Sequence, residues 1–197
     1  MWALVESNSI TKTFNRPKGF TLGDIQYPAS IFTLWSKAEK EAIGLYEIIV
    51  DNSNLKDQAY YINGAESFTW DSSARTVTKA FASATAKAIA DVTDDDGNVT
   101  RGLKYNAIQK VKAQQAGFLA QTDWYIIRKA DAGTAIPSNI QTWRNAIRSD
   151  ATAIETAITN ATDMDAFIAL HTDTYKTVDG KQVVDVVARI NRWTELE

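Results

Sequence analysis

The chain has no cysteine among its 197 residues. Disulfides and cysteine-ligated metals are therefore excluded, and the composition fits a reducing compartment. Histidine is nearly as scarce. The one imidazole, His171, has no second imidazole with which to share a metal ion and no thiol to activate. A serine triad would have to recruit it, and no Gly-x-Ser-x-Gly turn occurs. Long apolar runs are missing too: none approaches the ~20 residues of a membrane span. Met1 to Glu6 is apolar but short, and it lacks the basic start of a signal peptide. The net charge of −3 is mild. It names no partner, and no basic face is large enough to argue for nucleic acid. The nine glycines and three prolines sit at turns, with no Walker loop and no Rossmann glycine set. These absences predict no catalytic residue, no metal, no cofactor, no nucleic acid and no membrane. A binding or assembly role is the reading that stays ahead of an enzyme.

Two near misses bear on chemistry. The acidic stretch Asp94-Asp95-Asp96-Gly97-Asn98 invites comparison with a calcium loop. An EF-hand puts glycine sixth and glutamate twelfth. With Gly97 sixth, the first position is Val92 and the twelfth is Leu103, so the motif fails. The simpler reading is a solvated loop between two helices. Glu39 and Glu41 lie on an amphipathic helix with Lys37 and Lys40, a pattern that marks a solvated face rather than an acid–base pair.

The first half reads as short mixed elements. Trp2 to Val5, Ile10 to Phe14, Leu22 to Tyr27, Leu45 to Val50 and Arg75 to Phe81 read as strands from their apolar and β-branched content. Asn63-Gly64 predicts a tight hairpin between Tyr60-Tyr61-Ile62 and Ser67-Phe68-Thr69-Trp70. Ser36 stands three residues before Glu39, the capping-box spacing, and Gly44 sits where a helix ends in a left-handed cap.

The second half changes character. Ala84 to Val92 is alanine-rich and predicts a helix, and a long helix follows from Thr100 to Gln121. Another starts near Pro137, a residue pre-shaped for a first helical turn. In it Ile140, Ile147, Ile154 and Ala161 recur every seven residues. Such a repeat keeps one apolar seam towards a partner helix. The seam predicts an internal helical hairpin, with a homo-oligomer contact left open. Asp163 to Leu170 reads as a short helix, and Asp179-Gly180 as a hairpin turn whose second strand returns to the first sheet. The expected fold is α+β: a small, mostly antiparallel sheet with one helix over residues 1–84, then a helical-hairpin module with a C-terminal β-hairpin over residues 85–197.

Thr122-Asp123-Trp124, Pro137, Trp143-Arg144 and Ile147-Arg148 form a pattern of their own. The segment from Ala120 to Arg148 resembles bacteriophage tail-fibre assembly proteins. These carry a Thr-Asp-Trp turn, then a proline-started helix with an aromatic residue and two arginines. The stretches Tyr27-Pro28-Ala29-Ser30-Ile31-Phe32, Trp35-Ser36 and Ala42-Ile43-Gly44-Leu45-Tyr46 look like those of structural-module proteins of marine tailed phages. The resemblance implies a protein that binds a fibre protein and assists its folding or attachment, with no cofactor and no catalytic residue. It implies residence in the host cytoplasm during assembly. The alternative it leaves open is a structural, non-enzymatic component retained on the virion tail. A reading from another class is an enzyme that cleaves surface sugars through carboxylates. The residues expected to touch a partner are Trp124, Trp143, Arg144 and Arg148. Arg144 and Arg148 are four apart and share a helix face, while Trp143 lies about 100° round and points to the seam.

Overall fold

A computed structural model describes residues 1–196. The chain is α+β and divides into two compact units, Met1–Thr85 and the remainder from Ala86.

The first unit is built on a five-stranded sheet in which Ser9–Phe14 (β2), Trp2–Glu6 (β1), Leu45–Val50 (β5), Thr76–Phe81 (β8) and Glu66–Asp71 (β7) lie side by side in that order. Strands β1 (Trp2–Glu6) and β2 (Ser9–Phe14) form a hairpin. Its two turn residues, Ser7 and Asn8, both take positive φ, the twist-matched geometry for a two-residue turn. Strands β3 (Phe20–Leu22) and β4 (Ile25–Tyr27) form a second hairpin. The single strand expected over Leu22 to Tyr27 is thus broken by Gly23, which sits at φ +57°. A one-turn helix α1 (Ile31–Leu34) precedes α2 (Lys37–Ala42). The capping box is present: Ser36 Oγ accepts from the Glu39 N–H, and the Glu39 carboxylate accepts from the Ser36 N–H. That hydrogen bonding holds the Glu39 pKa below the usual carboxylate range, the Ser36 side chain contributing most. Gly44 then turns the chain at φ +78° into β5 (Leu45–Val50). A Cβ there would also lie 2.4 Å from the Val5 carbonyl oxygen.

Strand β5 pairs antiparallel with β1 and parallel with β8 (Thr76–Phe81), which pairs antiparallel with β7 (Glu66–Asp71). Alternation along β1 sends Leu4 into an aromatic cluster with Phe14, Phe20, Phe32, Ile31 and Leu45, and Ala3 into another with Tyr46, Ile48 and Val77. Along β5, Leu45, Tyr46 and Ile48 are buried, whereas Ile49 and Val50 are exposed. The Asn63-Gly64 hairpin does not form. Tyr61–Ile62 (β6) does not pair with β7, which takes β8 as its partner. Asn63 instead closes a loop, its side chain bonding both the N–H and the carbonyl of Lys56. Gly64 is required by a close approach, because a Cβ would meet Ala82 at under 3 Å.

From the boundary between the two units onward, the alanine-rich segment is extended rather than helical. It contains the two-residue strands β9 (Thr85–Ala86) and β10 (Val92–Thr93), the latter paired with β11 (Val99–Thr100). The physical reason is twofold. About nine residues is below the length at which a helix stabilises itself. The segment's carbonyls also have another use: Ala88 O and Ile89 O accept from the Leu103 and Lys104 N–H groups, satisfying orphan donors at the start of α3 (Leu103–Ala120). Gly102 lets that approach happen, since a Cβ would lie 2.3 Å from Ala90 O.

Helix α4 (Asp123–Ala132) follows, and Gly133 ends it at φ +69°. It replaces the turn expected at Thr122-Asp123-Trp124 with a helix. Helix α5 (Ser138–Asn160) begins after Pro137, which takes the cap position rather than the first turn. Along α5, Ile140, Trp143, Ile147, Ala151, Ile154 and Ile158 are buried, and the helix packs on α3. The seven-residue seam is therefore the inside of an intramolecular hairpin. Asp150, the polar interruption in that seam, accepts from both the N–H and the hydroxyl of Thr194. Helix α6 (Met164–Ala169) is capped by Asp163, which accepts from the Ala166 N–H. Strands β12 (Thr174–Val178) and β13 (Lys181–Val186) then form a two-stranded sheet of their own, so the last strand does not join the first sheet. A short 3-10 turn, Arg189–Asn191, leads to the end.

Candidate protein-binding site

The residues expected to touch a partner separate into two groups. Trp143 and Arg144 are both 5% exposed, so neither presents an open surface. This corrects the expectation for the pair, and the contacts give the reason. Trp143 packs in the α3–α5 seam and donates its indole N–H to Thr194 O at 3.0 Å. Arg144 reaches across to the junction of α3 and α4. Its Nη1 donates to Leu119 O at 2.8 Å and to Thr122 Oγ1 at 2.7 Å, and its Nη2 donates to Asp123 Oδ1 at 2.9 Å. Thr122 is itself buried.

The Thr122-Asp123 and Trp143-Arg144 motifs are thus one structural unit. A guanidinium beside the last carbonyls of α3 and the acid in the first turn of α4 complements both helix dipoles. Arg144 fixes where α3 stops and the direction in which α4 departs.

What this clamp positions is exposed. Trp124, at the first turn of α4, is 50% exposed, and Ile126 and Ile127 are 40% and 68% exposed. Trp124 and Tyr125 rings lie 3.8 Å apart between centroids. The Arg128 guanidinium sits over both, 4.7 Å from the first and 5.2 Å from the second. Among the described residues no carboxylate pairs with Arg128. Trp124, Ile127 and Arg128 share a helix face by their three- and four-residue spacing. Sequence reasoning missed this face because it missed α4. The signals for the helix were Asp123 in its first turn, Lys129 in its last and Gly133 beyond it.

Arg148 is exposed, with Nη1 donating to Arg144 O and Asn145 Oδ1 on its own helix. It is free to meet a partner, whereas Arg144 is not. Two shallow grooves run along the C-terminal residues. One, of about 480 Å³, lies between the start of α5 and Thr194 to Leu196, and the other, of about 350 Å³, between Phe118 and Trp193. Trp143 borders both.

The acidic loop is the turn of the β10–β11 hairpin. The Asp94 carboxylate accepts from the Asn98 side chain and N–H and from the Asp96 N–H. These bonds, Asn98's side chain foremost, lower its pKa. Among the described residues no group of three or more acidic or histidine side chains could hold a metal ion. His171 Nδ1 faces Phe167 O at 2.9 Å one turn back, and the two ring centroids lie 4.6 Å apart. Among the described residues no helix is long and apolar enough to cross a membrane. Comparison with known protein families, with curated proteins and with solved structures finds no match for this chain.

Proposed function

We propose that this chain is a non-enzymatic assembly protein that binds a phage tail-fibre protein through α4 and assists its folding or attachment. The observation that carries the reading is a ledge of exposed Trp124 and Ile127, with the half-buried Arg128 against the Trp124 ring, on a helix whose first turn is clamped from below by Arg144. Tryptophan and arginine dominate interface hot spots, and a clustered apolar surface marks an interaction site. The clamp adds preorganisation, since the ledge loses little freedom on binding. The fibre protein as partner comes from the resemblance of the Thr122-Asp123-Trp124 and Trp143-Arg144 segment.

The test is co-expression with the fibre protein of the same phage, followed by affinity capture. Trp124→Ala with Ile127→Asp alters only exposed positions, so the circular dichroism spectrum stays that of the parent. Loss of two hot-spot side chains costs about 2 kcal/mol or more, roughly a 30-fold weaker Kd. Arg148→Glu, read separately, reports whether the interface extends onto α5. Undiminished capture by the Trp124/Ile127 variant removes α4 from the interface. Recovery of the chain from purified virions assigns it to the tail itself.

A further inference from the structure

The β12–β13 hairpin is unusual for a folded unit because every one of its eleven strand residues is exposed. Its apolar side chains, Tyr175, Val178, Val183, Val184 and Val186, are between 38% and 58% exposed. A lone two-stranded hairpin is marginal in water, and stability comes with a third strand or a covering layer. Both of its edges are open, since among the described residues the two strands pair only with each other.

We infer that β13 pairs with β13 of a second copy of this chain, making a four-stranded antiparallel sheet about a two-fold axis. The turn decides which backbone groups are available. Asp179 and Gly180 both take positive φ, at 50° and 73°, and Val178 faces Lys181 across the turn. In a two-residue hairpin the flanking pair exchanges both hydrogen bonds, and the pattern then alternates. Lys181 and Val183 therefore direct their N–H and C=O groups at β12. Gln182 and Val184 direct theirs to the free edge.

An antiparallel partner must place outward residues opposite outward residues. The centred register puts Gln182 opposite Val184 of the second copy, Val183 opposite itself, and Lys181 opposite Asp185. By symmetry the charge pair occurs twice. The open edge of β12 offers no equivalent: its centred register, Tyr175 opposite Thr177, puts Lys176 directly against itself, and like charges facing across strands are destabilising. The register shift where Thr174 meets Val186 and Tyr175 meets Val184 leaves Asp185 without an opposite residue on β12. Its carboxylate meets Lys176 at 2.8 Å within the chain. The same shift ends the regular edge, so the interface is short and the dimer weak.

The absence of cysteine gives a clean test. Val183→Cys introduces the sole thiol, at the position that faces its own copy, where Cβ atoms come within about 5 Å. Mild oxidation of the full chain is predicted to yield a disulfide-linked dimer much faster than Tyr175→Cys, which sits one strand further out on each side. Independently, the sedimentation mass of the unmodified chain is predicted to rise with concentration towards that of two chains. Lys181→Asp, which sets two carboxylates against each other at both symmetry-related charge pairs, is predicted to abolish that rise. The triple variant Lys176→Asp, Lys181→Asp, Asp185→Lys restores both the internal and the cross-copy pairs and is predicted to restore it. A mass that stays that of one chain at the highest soluble concentration overturns the inference. So does a Val183→Cys dimer that forms no faster than the Tyr175→Cys control.

Discussion

Replacing Arg144 with methionine removes a charge while keeping the aliphatic bulk that fills the α3–α4 junction. The structure allows the cost to be built from parts. Arg144 makes hydrogen bonds to Leu119 O and Thr122 Oγ1 in a buried setting and one to Asp123 Oδ1. Bonds to a charged group contribute about 1.5–3 kcal/mol each. Three corrections reduce the total. The Asp123 side chain is 54% exposed, so that ion pair is screened and contributes less than about 1 kcal/mol. The variant also relieves the desolvation of a buried guanidinium, and Thr122 Oγ1 keeps its own bond to Leu119 O. The net expectation is a loss of about 2–3 kcal/mol for Arg144→Met and less than about 1 kcal/mol for Asp123→Asn. Denaturant unfolding followed by helical circular dichroism reads both, with the slope unchanged. The double variant is predicted to cost little more than Arg144→Met alone, because the pair is already broken. A loss below about 0.5 kcal/mol for Arg144→Met refutes the clamp, since it would then contribute no more than an ordinary surface side chain.

Four further outcomes are expected. Ile154→Ala, at a fully buried seam position, is predicted to destabilise by about 2–5 kcal/mol, with the same loss relative to the parent chain at every protein concentration. Gly44→Ala forces both a left-handed φ and a contact with Val5 O, so it is predicted to lower stability by more than the ~1 kcal/mol of the strain alone. Hydrogen bonds at Glu39, Asp94 and Asp163 hold their folded pKa values below the unfolded ones. Their contributions are therefore complete above the ordinary carboxylate range and are lost as pH falls through the depressed folded values. Melting points are predicted to drop on acidification, and Ser36→Ala to remove Glu39's share of the drop. Millimolar calcium is predicted to leave the melting point unchanged, because the Asp94 carboxylate is already engaged by Asn98 and Asp96; a rise reversed by a chelator contradicts this.

The sequence carried local signals faithfully where one interaction settled the structure. Ser36 and Glu39 satisfy each other three residues apart, and Gly44 stands where only a left-handed residue fits. Ile140, Ile147 and Ile154 mark one helix face whatever covers it, so α5 and its buried seam were readable. Where the outcome depended on distant partners, the sequence was silent or misleading. Alanines near residue 88 favour a helix, yet their carbonyls are taken by the start of α3. Asn63-Gly64 has the chemistry of a hairpin turn, but β7 finds its partner in β8 and Asn63 bonds Lys56. The site shows the same division. That Trp143 faces the seam follows from helical period. That Arg144 is also buried follows only from the arrival of α4 above it, a helix whose apolar residues point outwards and so leave no core-facing stripe to read. Trp124 and Arg148, by contrast, lie at the surface, where a partner can reach them.

The central claim is that α4 is the surface this chain offers to a fibre protein. Amide hydrogen exchange of the chain with and without that protein tests it most directly. The account predicts slowed exchange over Asp123–Ala132 on binding, while α3 and the seam of α5 keep the rates of the free chain. Protection confined to other segments, or rates over α4 that do not change when the fibre protein is present in excess, would contradict it.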